Sequence, residues 1–219
     1  MSDRRRVITG VSRQLRNGYG FIGKAGMLYR RAEDDFFLLV HLRQFMAPIA
    51  GGLYEALLAP DARIPAIEIT VGLHAREMYL AMGLAVPRVE ELRSAPFLPS
   101  IHVLGPPVDG NVTGAFLATA SMDEGNMLER VVVAVDRADA AMGSRDRVIA
   151  TWRREECLPG MDADSSALCA AFVLGLNGDL PAGETIIREW TPRLGRAHLV
   201  SWFEERIETL RALAGSEKS

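Results

Sequence analysis

The fold is decided by two stretches, MLYRRAEDDFFLLVHLRQF at residues 27–45 and IEITVGLHA at residues 67–75. Both alternate apolar and polar side chains with the two-residue period of a β-strand, and the acidic turn at 32–35 divides the first stretch in two. One phase of the alternation is wholly apolar: Phe36, Leu38, Val40, Leu42, Ile67, Ile69, Val71 and Leu73. These stretches therefore predict an antiparallel sheet with one apolar face.

Helical patterns flank this sheet. Residues 3–17 carry an apolar stripe, which predicts an N-terminal helix that covers the apolar face. From residue 127 onward the apolar spacing is helical, and residues 170–190 have the small residues and the Asn-Gly-Asp turn of a helical hairpin. The predicted fold class is α+β: an antiparallel sheet of three to five strands covered by an N-terminal helix, with a mostly helical C-terminal half.

The change from strand-like to helical sequence predicts an α+β sheet domain at residues 1–125 and a helical subdomain at residues 126–219. The alternative is that the two pack as one domain. Shorter elements are expected as strands at 100–105 and 113–121 and as helices at 54–58 and 87–94.

Composition narrows the class of protein. About half of the 219 residues are apolar, which is enough for a sizeable core. The net charge of −3 argues against a general nucleic-acid binder, because such a protein needs a basic face to neutralise phosphates. No segment approaches the ~20 apolar residues that span a bilayer. We therefore expect a cytoplasmic protein with no nucleic-acid and no membrane partner.

A pattern of short motifs extends over roughly the first 75 residues. A helix is followed by Gly-Phe, a Gly, an aromatic-Arg pair, a strand and a later strand ending in Gly; here these are Leu15, Gly20-Phe21, Gly26, Tyr29-Arg30-Arg31, the run 39–43 and the run 69–72. The arrangement resembles the uncharacterised bacterial family DUF4304. The chain differs at His41-Leu42-Arg43, where the family pattern has Asn-Leu-Gln. The resemblance implies a bacterial protein of this sheet fold and transfers no activity.

The second face of the predicted sheet carries a polar group, namely His41, Arg43, Glu68, Thr70 and His74. Cross-strand neighbours lie ~5 Å apart, so several of these side chains would meet if the two strands pair. Arginine can hold a carboxylate or phosphate, histidine can transfer a proton, and glutamate can orient the histidine. The alternative is a partly hydrated sheet face with a structural ion pair. A register slip of one residue would reverse the faces.

Other chemistries lack their motifs. No HxH, HExxH or CxxC spacing predicts a metal site, and no phosphate-binding glycine motif predicts a nucleotide cofactor. The glycines of NGYGFIGKAG (17–26) follow a helix, whereas a phosphate loop follows a strand, so they predict a turn. Cys169 is expected as a small buried hydrophobe, and Cys157 lies near a helix C-terminus, which disfavours a thiolate.

The three tryptophans, Trp152, Trp190 and Trp202, lie in helical segments and are expected to pack between helices.

No pattern indicates a reaction. The sequence therefore favours a non-catalytic interaction or accessory protein, with toxin neutralisation as one such role, that binds a protein partner or a second copy of itself. The alternative is a small-molecule-binding protein or enzyme that uses the polar sheet face.

Overall fold

The computed structural model describes residues 3–24, 26–48, 63–89, 92, 99–105, 115–117 and 123–216. The strands are β1 (Ile22–Lys24), β2 (Met27–Glu33), β3 (Phe36–Pro48), β4 (Arg63–Ala75), β5 (Ser100–Val103) and β6 (Phe116–Leu117). The helices are α1 (Asp3–Tyr19), α2 (Arg76–Ala81), α3 (Glu124–Met142), α4 (Arg145–Arg153), α5 (Ala163–Leu176), α6 (Leu180–Trp190) and α7 (Ala197–Ser216), and a 3-10 turn (Thr191–Arg193) follows α6. The helix predicted at 54–58 and half of the one predicted at 87–94 lie outside the described residues.

All strand pairs are antiparallel. Their spatial order is β1-β2-β3-β4-β5, and β6 also pairs with β4. The predicted faces hold along the long β3–β4 ladder, where Leu38 lies opposite Leu73 and Val40 opposite Val71. All four side chains are fully buried. The alternation therefore assigned these residues to the correct face.

β5 and β6 lie end to end along one edge of β4. β5 ends opposite Ile69 and β6 begins opposite Ile67, so the two strands pair with successive parts of β4. The backbone after β5 approaches the backbone before β6 at Gly105, where a Cβ atom would lie 2.7 Å from the carbonyl oxygen of Ala115. Because of this division the sheet has six strands among the described residues, one more than the expected range.

The apolar face of the sheet is covered by α1 and α3. Buried side chains of both helices belong to the same apolar core as the strands; they include Val7, Val11 and Leu15 of α1 and Met127, Val131 and Val135 of α3. α3 begins after Asp123, whose carboxylate accepts a hydrogen bond from the backbone N–H of Gly125 at 2.8 Å. The first helix of the predicted helical subdomain therefore packs on the sheet, and the domain division near residue 125 stays a prediction.

α5 is the central helix of the C-terminal half. Most of its residues are buried, because α2, α4, α6 and α7 all pack against it. α6 approaches closely at Gly183, where a Cβ atom would lie 2.5 Å from the carbonyl oxygen of Ala171. The small residues at this crossing are those that predicted a helical hairpin at 170–190.

A largely buried ion-pair network joins the helical half to the sheet. Arg145, the first residue of α4, donates to Glu77 at 2.6 Å, to Glu33 at 3.0 Å and to the carbonyl oxygen of Asp34 at 3.1 Å. Asn177 donates to the same Glu77 oxygen at 3.0 Å. Burial by itself would lower the pKa of Arg145, but hydrogen bonds and charges of Glu77 and Glu33 outweigh it and raise that pKa.

The predicted fold class is confirmed: an N-terminal helix, an antiparallel sheet and a mostly helical C-terminal half. Gly26, in the turn between β1 and β2, adopts a positive φ of 98°, which fits the turn predicted for residues 17–26. Among the helices of the described residues, none combines the length and apolarity needed to cross a membrane.

Candidate functional site

The polar group predicted on the second sheet face is assembled on β3 and β4. His41 lies directly opposite Thr70, and Arg43 lies directly opposite Glu68. Nη2 of Arg43 lies 2.7 Å from Oε2 of Glu68, and the two side chains are 53% and 31% exposed. The structure therefore brings these four side chains together, with the ion pair at the boundary with water.

His102 of β5 extends this group to a third strand. It lies opposite Thr70, so its exposed side chain shares the face of His41. The alternation at 100–105 predicted the strand, but an alternation does not say which strand is the neighbour, and His102 was missed.

Burial lowers the pKa of His41, the charge of Arg43 lowers it further, and Glu68 acts in the opposite direction. The net effect lowers the pKa of His41 and favours its neutral imidazole.

His74 shares this face but is held apart from the group. It lies four residues beyond Thr70 on β4, about 13 Å at the usual rise of a strand, and is 4% exposed. Its Nε2–H donates to the carbonyl oxygen of Pro87 at 2.8 Å, and its ring lies 5.1 Å from that of Tyr79. Burial raises the pKa of Tyr79 to about 12, so the neighbouring phenol stays neutral. The segment after α2 thus covers the His74 end of the face.

The two cysteines have opposite surroundings. Cys169 of α5 is fully buried, which confirms the expected hydrophobic role. Burial raises the pKa of its thiol, and the charge of Asp162 acts in the same direction. Cys157 is exposed, in the turn that follows α4.

A cleft that the sequence did not indicate opens between the C-terminal end of α4, the start of α5 and the C-terminal end of α6. Its volume is about 440 Å³, which is within the range of ligand pockets. Trp152 and Trp190 form its aromatic wall, with ring centroids 5.1 Å apart and ring planes inclined at 64°. Five charged residues line the cleft with them, namely Arg153, Glu155, Glu156, Glu189 and Arg193, and the remaining lining residues are Cys157, Ala163 and Ile186. We call this the tryptophan cleft.

The two tryptophans pack between helices as predicted, yet each remains only half-buried. The sequence could not connect them, because Trp152 follows the helical pattern of α4 and Trp190 ends α6. Each segment by itself is an ordinary amphipathic helix end. Only the packing of both α4 and α6 against α5 brings the two rings together.

The turn after α4 places a glutamate where glycine is usual. The N–H of Glu156 donates to the carbonyl oxygen of Thr151 at 3.3 Å, and the N–H of Glu155 donates to that of Trp152 at 2.9 Å. These two bonds define a Schellman motif, whose left-handed position favours glycine. Glu155 occupies that position with a φ of 60°. A side chain costs about 1 kcal/mol there, and this one lines the tryptophan cleft.

The indole of Trp190 has two charged neighbours. Its Nε1–H donates to Oδ1 of Asp164 at 2.8 Å. The guanidinium carbon of Arg193 lies 4.8 Å from the centre of its ring. At the rim, Arg154 bonds Glu156 at 2.9 Å, and this hydrogen bond lowers the pKa of Glu156.

No protein-family model, no curated protein and no solved structure matches this chain. The resemblance over the first 75 residues stays a prediction. Within the part of the chain that the structure describes, no three His, Cys, Asp or Glu side chains are grouped so as to hold a metal ion.

Proposed function

We propose that this protein is a non-catalytic binding protein that recognises another protein through its helical half. The observation that carries the proposal is the tryptophan cleft, where Trp152 and Trp190 stay partly exposed at the surface. Tryptophan and arginine are the residues most enriched among those that dominate binding energy at protein interfaces. A bacterial accessory or toxin-neutralising role is one form of this proposal.

The dimensions of the cleft suit a short part of a partner better than a large flat surface. A volume of about 440 Å³ accommodates one or two side chains of a partner protein. Removing the exposed parts of the two indoles from water contributes favourable free energy in proportion to the apolar area buried. The rim charges surround this apolar centre, which is the usual arrangement of an interaction site.

The test compares two tryptophan substitutions. Trp190→Leu removes one wall of the cleft, whereas Trp202→Leu removes a half-buried tryptophan of α7 that does not line it. Proteins captured by the wild-type chain and by Trp202→Leu, but not by Trp190→Leu, would be purified and titrated by calorimetry. We expect Trp190→Leu to weaken such a complex by about 30-fold, since truncation of a dominant interface residue costs about 2 kcal/mol.

Thermal melting of both variants verifies that each remains folded. Light scattering across a concentration series tests whether the partner is a second copy of this chain. If purified partners bind Trp190→Leu as tightly as wild type, the cleft is not the binding site and the proposal fails.

A second candidate function uses the polar sheet face for a small anionic ligand. Pairing places Lys24, Met27, His41, Thr70 and His102 in one row across five strands, with cationic or titratable side chains in three of those positions. It ranks second because Glu68 already neutralises Arg43, the strongest anion ligand next to that row.

Thermal shift with phosphate and citrate tests this second candidate. A ligand at ~100 times its Kd adds about 2.7 kcal/mol to the stability of the native state. The gain should disappear in Arg43→Ala and in His102→Ala and persist in Trp190→Leu. If neither anion raises the melting temperature of the wild-type chain, the sheet-face candidate is rejected.

A further inference from the structure

The chemistry of the tryptophan cleft indicates what kind of side chain it accepts. The face of an indole ring carries negative electrostatic potential and attracts cations. In this protein Trp190 also donates its Nε1–H to the carboxylate of Asp164, 2.8 Å away. A hydrogen bond to an anion increases the electron density of the ring, so Trp190 is a better cation acceptor than an indole in water.

A cation of the chain itself already lies on this ring. The guanidinium of Arg193 lies 4.8 Å from the ring centre, and Arg193 is exposed at the start of the segment that leads to α7. Arg193 forms no ion pair with another described residue. Its contact with Trp190 is therefore weak enough to be exchanged for a contact with another cation, because an exposed cation–π pair changes a binding constant only about 3-fold.

The charged residues at the rim of the tryptophan cleft add a negative electrostatic potential. Three carboxylates, those of Glu155, Glu156 and Glu189, line the cleft with two arginines, Arg153 and Arg193. Glu155 and Glu189 form no salt bridge with any other described residue. When Arg193 leaves the ring, the three carboxylates remain with two arginines, Arg153 of the lining and Arg154, which pairs with Glu156 at the rim, so the cleft keeps one net negative charge. The cleft without Arg193 on Trp190 is therefore complementary to a cation.

The backbone conformation of Glu155 also supports a cation-binding cleft. The left-handed turn after α4 would be less strained with glycine, yet the chain has a glutamate there. Its carboxylate is thus held at the cleft at a cost in local stability. No described contact of Glu155 offsets this strain, because its side chain makes no hydrogen bond to another described residue.

We infer that the tryptophan cleft binds a positively charged side chain of the partner, an arginine or a lysine, and that Arg193 occupies the site until this side chain replaces it. The inference rests on the proposed function, because it names the chemistry of the partner at the same cleft. The incoming cation stacks on Trp190 between Trp152 and the carboxylates of Glu155 and Glu189. Arg193 acts as an internal competitor, so the partner must supply more than one contact to displace it.

The probes are Nα-acetyl-arginine amide and Nα-acetyl-lysine amide, with Nα-acetyl-glutamate amide as the anionic counterpart, titrated into the full chain. The readout is the set of indole N–H signals in a proton–nitrogen NMR spectrum. We expect a cationic probe to shift the signals of Trp152 and Trp190 saturably. Trp202 is the internal reference, because it lies outside the cleft and has its own arginine, Arg206, 5.9 Å from its ring.

Two variants decide the mechanism. Arg193→Ala removes the internal competitor and should tighten the binding of the cationic probe by about 3-fold, the equivalent of one exposed cation–π contact. Glu155→Gly removes a rim carboxylate at a position that prefers glycine. This variant should bind the probe more weakly while its melting temperature stays the same or rises, so a folding defect cannot explain the loss.

Three results would overturn the inference. The first is weaker binding of the cationic probe in Arg193→Ala, since it shows that Arg193 does not compete for the site. The second is a saturable shift of Trp152 and Trp190 with the glutamate probe, since it assigns the cleft to an anion. The third is the absence of any cleft shift with both cationic probes. If a purified partner still requires Trp190 in that case, the proposed function survives and only the cationic side chain is rejected. If no partner requires Trp190 but the arginine probe binds as described, the proposed function fails and the cation site remains.

Discussion

Arg145 and Arg43 both pair with glutamates, but they do so in different environments. Arg145 is 22% exposed and bonds Glu77, which is 4% exposed, whereas Arg43 is 53% exposed and bonds Glu68, which is 31% exposed. The Arg145 pair closes a junction between parts of the chain 68 residues apart. The Arg43 pair links two strands that already share a continuous ladder. We therefore expect the Arg145 pair to stabilise the fold and the Arg43 pair to contribute little to its stability.

The physical reason is the uneven cost of leaving a charge without its partner. A carboxylate that stays buried after its partner is removed keeps the full desolvation penalty, which amounts to several kcal/mol. A half-exposed carboxylate is rehydrated, so an exposed pair contributes only about 0–1 kcal/mol. The two clusters therefore respond differently to the same substitution, and this difference can be measured.

The largest effect is expected from Arg145→Ala. It leaves the buried carboxylate of Glu77 without its guanidinium partner and also removes the bond to Glu33. We expect the free energy of unfolding in urea to fall by about 3 kcal/mol. Arg145→Lys is the matched control: it keeps the charge but cannot form the three bonds of the guanidinium, and it should fall between alanine and wild type. A loss of less than about 1 kcal/mol in Arg145→Ala would mean that this network does not hold the junction.

Arg43→Ala is expected to have a small effect. The variant loses an exposed ion pair with Glu68 and a guanidinium contact 5.5 Å from the ring of Phe45. The unfolding free energy should fall by less than about 1 kcal/mol, and the loss should shrink further at high salt. Urea denaturation at low and high ionic strength measures both quantities. A salt-independent loss as large as that of Arg145→Ala would contradict the contrast between the two clusters.

The smallest effect concerns protonation of His41. Its folded-state pKa is lowered below 6.5 by burial and by the charge of Arg43. The unfolded state therefore binds the proton first, and the contribution of this group to stability is present above pH 6.5 and lost as the pH falls through the folded pKa. When the pH is lowered from 7.5 to below the folded-state pKa of His41, the free energy of unfolding should fall less in the His41→Gln variant than in wild type.

An NMR titration measures the same coupling directly. In Arg43→Ala the pKa of His41 should rise toward its ordinary value, because one of the causes that lower it has been removed. His102 of β5, two strands away from His41, supplies the reference signal. An unchanged His41 pKa would show that Arg43 does not act on this imidazole.

The sequence predicted the Arg43 cluster and missed the Arg145 cluster for one reason. Arg43 and Glu68 lie on strands whose alternation fixes both the element and the face, so pairing of the two strands was enough to bring them together. Arg145, Glu77 and Glu33 come from two helices and a strand end, and no periodic pattern relates positions 112 residues apart. The same limit applies to Trp152 and Trp190, which meet only because their helices pack around the start of α5.

His74 was assigned to the correct face of the sheet, but this assignment did not predict its burial. The alternation placed it on the polar face of β4, where it lies. It did not indicate that the segment carrying Pro87 folds back over that end of the face and takes the Nε2 hydrogen bond. Periodicity predicts to which face of its own strand a side chain points. Whether that side chain is buried also depends on which other segment of the chain packs over the face.

The sequence by itself determined the local elements of this protein, the apolar face of its sheet and the helical nature of its second half. These follow from short-range geometry, since a period of two or of 3.6 residues decides which side chains share a surface. The tertiary structure alone decided the six-strand order, the Arg145 junction, the burial of His74 and the tryptophan cleft. Each of these depends on which surfaces meet across long separations in sequence, and that choice minimises the free energy of the whole core.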